Sequence, residues 1–199
     1  MSIHDRITSA IFAVLRHAAV ILFLCTLAKP WHEIAGHGLV GALCGGKVTK
    51  FQLYGLQFVP DLRWTGTREG LGVCDHTEIH NKFCACLTSL AGSMSTFVVA
   101  ALAACVLWKF RPRGLKFTAL ICLSIWCMDL FTYTLPSFGV RRYIWSGTRY
   151  AEPYTAAVAL GIPGALFQAF VFVGTFAVLL ATGISIWRRI QERERLAQA

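Results

Sequence analysis

Residues 31–38 read Trp31-His32-Glu33-Ile34-Ala35-Gly36-His37-Gly38, which places two imidazoles and a carboxylate inside an otherwise apolar run. Ionisable side chains at membrane depth are rare, and by default they mark a functional site whose partners lie elsewhere in the chain. The rest of the sequence therefore has to supply both a protected position for this stretch and the groups that pair with it.

The composition is that of a membrane protein. Of the 199 residues, 56% are apolar and 15% are charged, and the mean hydropathy is +0.57. Runs of about 20 apolar residues are long enough to cross roughly 30 Å of hydrocarbon as helices. They predict four spans, at about 19–44, 83–108, 115–136 and 164–187, with a polar loop at 45–82 and a connector at 137–163. The expected fold is an all-α membrane protein with a single polytopic domain over residues 1–199.

The charge pattern indicates how the chain sits in the bilayer. The formal net charge is +9, but the basic residues lie at the ends of the apolar runs. This favours topology signals or contacts with anionic lipid over nucleic-acid binding. The first residues lack the features of a cleaved signal, so the first span is expected to be retained. The two termini and the basic 109–116 loop fall on one side, which their Lys and Arg content predicts to be cytoplasmic.

Local signals predict what surrounds the His-Glu stretch. Pro30 should kink or restart the helix just before it, and Gly45-Gly46 should end that helix. Alternating residues in 47–59 predict a small β ribbon turning near Gly55, lying either outside the bilayer or beside a cavity. The polar segment 60–82 is predicted to be a solvated loop or a short interfacial helix. Small residues at 90–95 should allow the second span to pack closely on the first.

Two histidines with a glutamate beside the first are typical of a metallopeptidase helix, in which the imidazoles bind Zn²⁺ and the Glu takes a proton from water. On a regular helix the two histidines are four apart, whereas His32 and His37 are five apart. Their side chains would then diverge by about 140°. A π-turn at Ala35-Gly36 would realign them. Otherwise only one His is a ligand, or Glu33 and His37 form the facing pair.

A catalytic zinc site has three protein ligands and leaves one position for water, so a further carboxylate is expected. Asp129 is the only acid within the second, third or fourth predicted span. A helix-pairing role for Asp129 with Lys29 or a hydroxyl is nearly as well supported, and Glu152 in the connector is an outside candidate for a ligand. Lys29 is expected to snorkel or to face the polar cluster.

The ordered set of motifs resembles the site-2 protease family of intramembrane zinc metallopeptidases. The motifs are His32-Glu-Ile-Ala-Gly-His-Gly-Leu-Val-Gly-Ala-Leu-Cys-Gly-Gly-Lys-Val48, the ribbon after it, Leu90-Ala-Gly92, Asp129, and Gly147-Thr-Arg-Tyr-Ala-Glu-Pro153 followed by Ala159-Leu-Gly-Ile-Pro163. The resemblance implies that His32, His37 and Asp129 bind zinc and that Glu33 is the general base. It also implies a cytoplasmic position for the loop after the His-Glu helix, which is opposite to the orientation that the basic residues favour.

The expected function is hydrolysis of a peptide bond in a membrane-associated protein, with the 45–83 segment pairing with an extended substrate. Two alternatives remain. One is a di-iron desaturase or hydroxylase that uses His32, His37, His76 and His80, although the chain has six histidines in all and such enzymes use more. The other is a non-catalytic membrane scaffold with a degenerate site. Of the eight cysteines, those inside apolar runs are expected to be buried small side chains, and Cys74, Cys84 and Cys86 are better placed for redox chemistry or metal.

Overall fold

The computed structural model describes residues 3–66, 71–143 and 149–198. Within these residues, four helical stretches are long and apolar enough to cross a membrane: Ile7–Leu43, Lys82–Phe110, Leu115–Phe138 and Gly164–Leu196. They coincide with the four predicted spans, except that the first stretch begins well before residue 19. A mostly helical fold with a small sheet is therefore confirmed, and it is compatible with a membrane protein. Gly147 and Thr148, which belong to the connector motif, lie outside the described residues.

The elements follow one another in a simple order. The helices are α1 (Ile3–Trp31), α2 (Leu39–Leu43), α3 (Lys82–Phe110), α4 (Leu115–Ile125), α5 (Cys127–Thr134), α6 (Glu152–Ala159) and α7 (Gly164–Gln198). A π-helix over His32–Gly38 joins α1 to α2, and a 3₁₀ turn over Leu135–Phe138 follows α5. The strands are β1 (Val48–Leu53), β2 (Leu56–Val59), β3 (Arg63–Trp64) and β4 (Gly72–His76).

Helix α3 is the centre of the bundle and packs against the π-helix, α4, α5, α6 and α7. Much of its buried surface consists of Gly, Ala, Ser and Thr. Small side chains let neighbouring backbones approach closely, which matters in lipid because apolar burial contributes little to helix association there. The main core lies between α3, α5, α6 and α7 and includes Phe97, Ala100, Ala104, Leu130, Ala157, Phe167 and Val171.

The helix that carries the His-Glu stretch does not break at Pro30. The chain stays helical through this proline and changes to π geometry at His32. The expected irregularity before the stretch therefore takes the form of a wider helical turn. The helix then ends at Gly45-Gly46, as predicted: Gly45 has a φ of +84°, and the Gly46 amide donates to the Gly41 carbonyl at 2.9 Å. Glycine adopts this left-handed backbone without the strain that a side chain would bring.

The segment after this helix is a four-stranded sheet in the order β3-β2-β1-β4, with every neighbouring pair antiparallel. The predicted ribbon is confirmed in β1 and β2, which turn at Tyr54-Gly55. The prediction of a loop or interfacial helix over 60–82 is wrong for the described part of that segment, because β3 and β4 extend the sheet on its two sides. Pairing with β4 gives the second edge of β1 the backbone partners that it needs away from water.

The sheet lies against the helix at the depth of the polar stretch. The Tyr54 hydroxyl at the hairpin tip donates to the Thr26 carbonyl at 2.6 Å, inside the first candidate span. At the near end of β4, a side chain on Gly72 would collide with Lys29 and Glu33. The hairpin tip thus lies beside the first candidate span, and β4 borders a cavity. The chain reaches α3 through Asn81, whose side chain accepts from the Phe83 amide at 2.9 Å and caps that helix.

Candidate metal centre

The π-helix brings two histidines onto one side of the helix. Its turn spans five residues, as shown by the Leu39 amide donating to the Ile34 carbonyl, so residues five apart become neighbours. The expected π-turn around Ala35-Gly36 is therefore confirmed. His32 is 1% exposed, Glu33 3% and His37 7%. All three side chains are buried, which a helix facing lipid on all sides could not achieve.

The two imidazoles point at each other through their Nε2 atoms, which are 3.1 Å apart. The opposite nitrogen of each ring is held by an oxygen. His32 Nδ1 donates to Asp129 Oδ2 at 2.6 Å, and His37 Nδ1 donates to the Thr88 carbonyl at 2.7 Å. A carbonyl oxygen only accepts hydrogen bonds, so His37 must carry its proton on Nδ1. An ionised Asp129 imposes the same tautomer on His32.

When both rings are neutral, this arrangement leaves two lone pairs facing each other. With Nδ1 protonated, the Nε2 of a neutral imidazole has no hydrogen to donate, and two such atoms at 3.1 Å repel. A cation between them removes the repulsion. Two nitrogen ligands at about 2.0–2.1 Å from one tetrahedral zinc lie roughly 3.3 Å apart, close to the observed separation. Imidazoles whose second nitrogen donates to a carboxylate or a backbone carbonyl are also typical of metal ligands.

A carboxylate stands near the same point, although it is not in contact with both rings. Glu152 Oε1, on the first turn of α6, is 3.9 Å from His37 Nε2. In the described part of the chain, no group of three His, Cys, Asp or Glu side chains converges closely enough to hold an ion. The donor set nevertheless fits zinc in kind, because imidazole nitrogen and carboxylate oxygen are both ligands of this metal.

Asp129 lies beside His32, on the Nδ1 side of its ring. Its Oδ2 contacts the Nδ1 edge of His32, on the other side of the ring from the point where the two Nε2 atoms meet. The same oxygen accepts from the Thr96 hydroxyl at 3.0 Å, and Oδ1 is 3.5 Å from an Arg142 nitrogen. These contacts compensate a carboxylate at membrane depth and fix the orientation of His32. In this structure Asp129 lies behind His32, and its role as a zinc ligand stays a prediction.

Glu33 is paired with a cation one helical turn away. Lys29 Nζ is 2.5 Å from Glu33 Oε1 and donates to the Tyr133 hydroxyl at 3.0 Å. The expectation that Lys29 faces the polar cluster is thereby confirmed. Tyr133 stacks on His32 with ring centroids 5.0 Å apart, and the Arg142 guanidinium carbon lies 3.0 Å from the Tyr133 ring centre. The Arg142 guanidinium therefore lies against the Tyr133 ring, which in turn stacks on His32.

A close helix crossing makes room for the rings. A Cβ placed on Gly92 would overlap the Nε2 atoms of both His32 and His37, and one placed on Gly36 would overlap the Gly92 backbone. The small-residue patch of α3 therefore packs on the first span, as the sequence predicts. Its specific function is to let both imidazoles lie directly on the α3 backbone.

A cavity of about 480 Å³ opens onto the site. It is lined by the three polar residues of the π-helix, by the end of α5, by Glu152 and by part of α3. Consecutive residues of β4 also line it, from Gly72 to His76. Because successive side chains of a strand point to opposite faces, lining by consecutive residues means that β4 meets the cavity along its edge. In the sheet order, β4 is an edge strand.

The other His and Cys candidates are placed differently. His80 is on the surface, 4.0 Å from Glu78, with a side chain that is 87% exposed. His76 lines the cavity and packs against Gly41, and its buried Nε2 has no hydrogen-bond partner in the described structure. Burial, together with the nearby carboxylates of Glu33 and Asp75, raises the pKa of the Cys74 thiol to about 11. Cys74 is therefore neutral near neutral pH, which does not favour it as a metal ligand.

Comparison of the chain with protein-family models, with curated proteins and with solved structures finds no match. The candidate site therefore rests on its own geometry.

Three groups of the site were not predicted from the sequence. Tyr133 and Arg142 belong to no recognisable motif. The Thr88 group is a backbone carbonyl, so the amino-acid type at that position does not indicate it. One signal was available for Tyr133: it lies four residues after Asp129 and thus one helical turn along the same face.

Proposed function

We propose that this protein is a membrane-embedded zinc metalloendopeptidase. The observation that carries the proposal is the pair of imidazole Nε2 atoms 3.1 Å apart, each ring donating from Nδ1 to an oxygen. Neutral imidazoles in this arrangement need a cation, and a buried Glu follows the first of them directly in the chain. Histidines of this kind with an adjacent Glu are the constellation of zinc peptidases.

In this proposal His32 and His37 hold zinc through Nε2, and Glu152 supplies the third ligand. Zinc bound there would supply a water that is acidic enough to attack near neutral pH, and it would polarise the scissile carbonyl. Glu152 is preferred to Asp129 because Glu152 Oε1 is 3.9 Å from His37 Nε2, whereas Asp129 is engaged with His32 Nδ1. Asp129 orients His32, as carboxylates behind metal-bound histidines do.

Glu33 is the general base. It lines the cavity beside both histidines, and its Oε1 is paired with the ammonium of Lys29. An ionised carboxylate can accept the proton of the attacking water and pass it to the leaving amine. Since Glu33 is 3% exposed, bulk water does not compete for it.

Tyr133 is suited to stabilise the transition state. Its hydroxyl accepts a hydrogen bond from Lys29 and lines the same cavity, which leaves its own hydrogen available to a ligand there. Preorganised donors aimed at a developing oxyanion make one of the largest contributions to acyl-transfer catalysis. Lys29 supports this function as well, because its positive charge favours negative charge building up nearby.

The substrate in this proposal is an extended segment of a membrane-associated protein. The free edge of β4 borders the cavity, and a peptide that pairs with this edge would run past the histidines. Peptide bonds inside a helix are inaccessible to a nucleophile, so strand pairing also exposes the bond to be cleaved. The sheet lies beside the first candidate span at the level of Thr26, which suits a substrate that enters from the bilayer.

The test uses purified full-length protein in nanodiscs, zinc analysis, and a library of quenched fluorescent peptides of single-span sequence. We expect Glu33→Gln to keep zinc and to lose cleavage at least 1,000-fold, roughly the contribution of a general base. His32→Ala and His37→Ala should lose zinc, and Glu194→Gln on the exposed tail is the matched control. Persisting cleavage in Glu33→Gln would contradict the mechanism. Bound iron would favour the di-iron alternative, and absence of metal from the wild type would favour the scaffold.

A further inference from the structure

A second cavity lies away from the histidines, beside the middle of α1 and the C-terminal end of α3. It measures about 740 Å³ and is lined by residues of α1 and of the link between α3 and α4. Four of its lining residues are permanently cationic, and none is acidic: Arg16, Arg111, Arg113 and Lys116. His17 also lines it, and its Nδ1 lies 2.6 Å from the Thr118 hydroxyl of α4, so α1 and α4 are joined at this level.

The positive charge in this cleft is only partly compensated. Arg111 lies 3.9 Å from Glu192, which is itself 2.9 Å from Arg189. Among the described residues, Arg16, Arg113 and Lys116 have no acidic partner within 4 Å. Three unpaired cations around one cavity favour an anionic ligand, since their mutual repulsion falls when negative charge enters.

The cleft lies at a membrane boundary. The first candidate span, Ile7–Leu43, has 37 residues and would be about 55 Å long as a helix, far more than roughly 30 Å of hydrocarbon needs. Arg16 is costly within hydrocarbon, so the boundary falls near it. The four-residue link Arg111–Gly114, which joins two candidate spans, lies at the same level as Arg16. Charged groups from two spans thus meet where lipid headgroups lie.

An apolar surface continues from the cleft toward the bilayer centre. Phe23 follows Arg16 by seven residues, which places it two turns deeper on the same face of α1, and it is 62% exposed. Leu22 beside it is 68% exposed. A ligand with a phosphate at the cations and acyl chains along this face would match both parts of the surface. A soluble anion would use the cations alone.

We propose that the cleft between Arg16 and the Arg111–Lys116 segment binds the headgroup of an anionic phospholipid. Basic pockets between membrane helices bind such headgroups through their phosphate. The proposal concerns a site separate from the histidines and does not depend on peptidase activity.

The test is native mass spectrometry of the full-length protein in detergent with added dioleoylphosphatidylglycerol or dioleoylphosphatidylcholine. The wild type should retain phosphatidylglycerol saturably and should bind phosphatidylcholine much more weakly. The double variant Arg113→Gln/Lys116→Gln should lose about 30-fold in phosphatidylglycerol affinity, since each basic residue near an anionic surface contributes about fivefold. If this variant does not fold, Lys116→Gln alone should lose about fivefold.

The matched control is Arg193→Gln/Arg195→Gln, which removes the same charge from the exposed tail of α7 outside the cleft. We expect it to change the affinity by less than about twofold, because neither residue lines the cleft and both side chains are exposed to solvent, which screens their charge. Equal losses in the two double variants would overturn the proposal, as would equal binding of the two lipids. Displacement of the lipid by millimolar glycerol phosphate would assign the cleft to a soluble phosphate and would equally overturn it.

Discussion

At the scale of single residues, the ion pair of Lys29 and Glu33 gives a buried carboxylate its counter-ion. Their atoms are 2.5 Å apart, and Glu33 is 3% exposed. Lys29→Met keeps a side chain of similar length and removes the counter-ion. We expect the free energy of unfolding to fall by about 3 kcal/mol, because an unpaired buried charge is strongly destabilising. Titration with sodium dodecyl sulfate in mixed micelles measures this free energy of unfolding.

A double-mutant cycle provides the control for this pair. Lys29→Met/Glu33→Gln removes both charges, so it should regain most of the stability that Lys29→Met loses. If the losses of the two single variants simply add in the double variant, the two side chains do not interact energetically and the assigned pairing is wrong.

Asp129 and Glu152 are distinguished by their effect on zinc affinity. Asp129→Asn weakens the hydrogen bond that orients His32. We therefore expect zinc affinity to fall by about 10- to 100-fold, as for other partners of metal-bound histidines. Glu152→Gln removes a ligand in our proposal and should cost more than Asp129→Asn. Competition with a fluorescent zinc chelator measures both affinities. The reverse order would restore Asp129 as the third ligand and exclude Glu152.

The sequence predicted part of this chemistry for identifiable reasons. Ionisable side chains in an apolar run are conspicuous, so His32, Glu33, His37 and Asp129 could all be selected, and the structure brings them into one cluster. The atom through which Asp129 acts could not be predicted, because it depends on which edge of the His32 ring faces α5. The sequence does not distinguish Tyr133 from other tyrosines of a span, because its role depends on the contact between its hydroxyl and Lys29.

At the scale of elements, the crossing of α3 over the π-helix holds the two imidazoles in place. A Cβ on Gly92 would overlap both Nε2 atoms, whereas one on Gly183 of α7 would meet nothing within 4 Å. Gly92→Ala should therefore displace the rings and abolish zinc binding, while Gly183→Ala keeps it. Zinc analysis of the two purified variants makes the comparison. Normal zinc content in Gly92→Ala would show that the rings do not need this contact.

The elements differ in how well local sequence specifies them. The π-helix could be expected because five-residue spacing and a shared metal are incompatible on a regular helix. The hairpin at Tyr54-Gly55 follows from alternation and a turn glycine. β4 was missed because Gly72–His76 is short and mixed in polarity. Its strand conformation comes from pairing with β1, a long-range contact that local propensity does not contain.

At the scale of the whole molecule, three of the four candidate spans described by the structure, together with α6 and β4, line a polar site that is open to a cavity. The apolar runs predicted the helices well, because hydrocarbon leaves the backbone few alternatives. The sheet and the cavity depend on how α1, α3 and β4 come together, and sequence patterns do not encode that. This assembly makes the central claim specific: one zinc ion between His32 and His37, reachable by a peptide along β4.

The most direct test of that claim is zinc K-edge X-ray absorption of the purified full-length protein, with zinc content measured on the same sample. We predict about one zinc per chain, with two imidazole nitrogens and carboxylate or water oxygens at about 2.0–2.1 Å. The two-imidazole signal should disappear in His37→Ala. Zinc bound by one imidazole or none, or a wild-type protein purified under metal-replete conditions without zinc, would contradict the account.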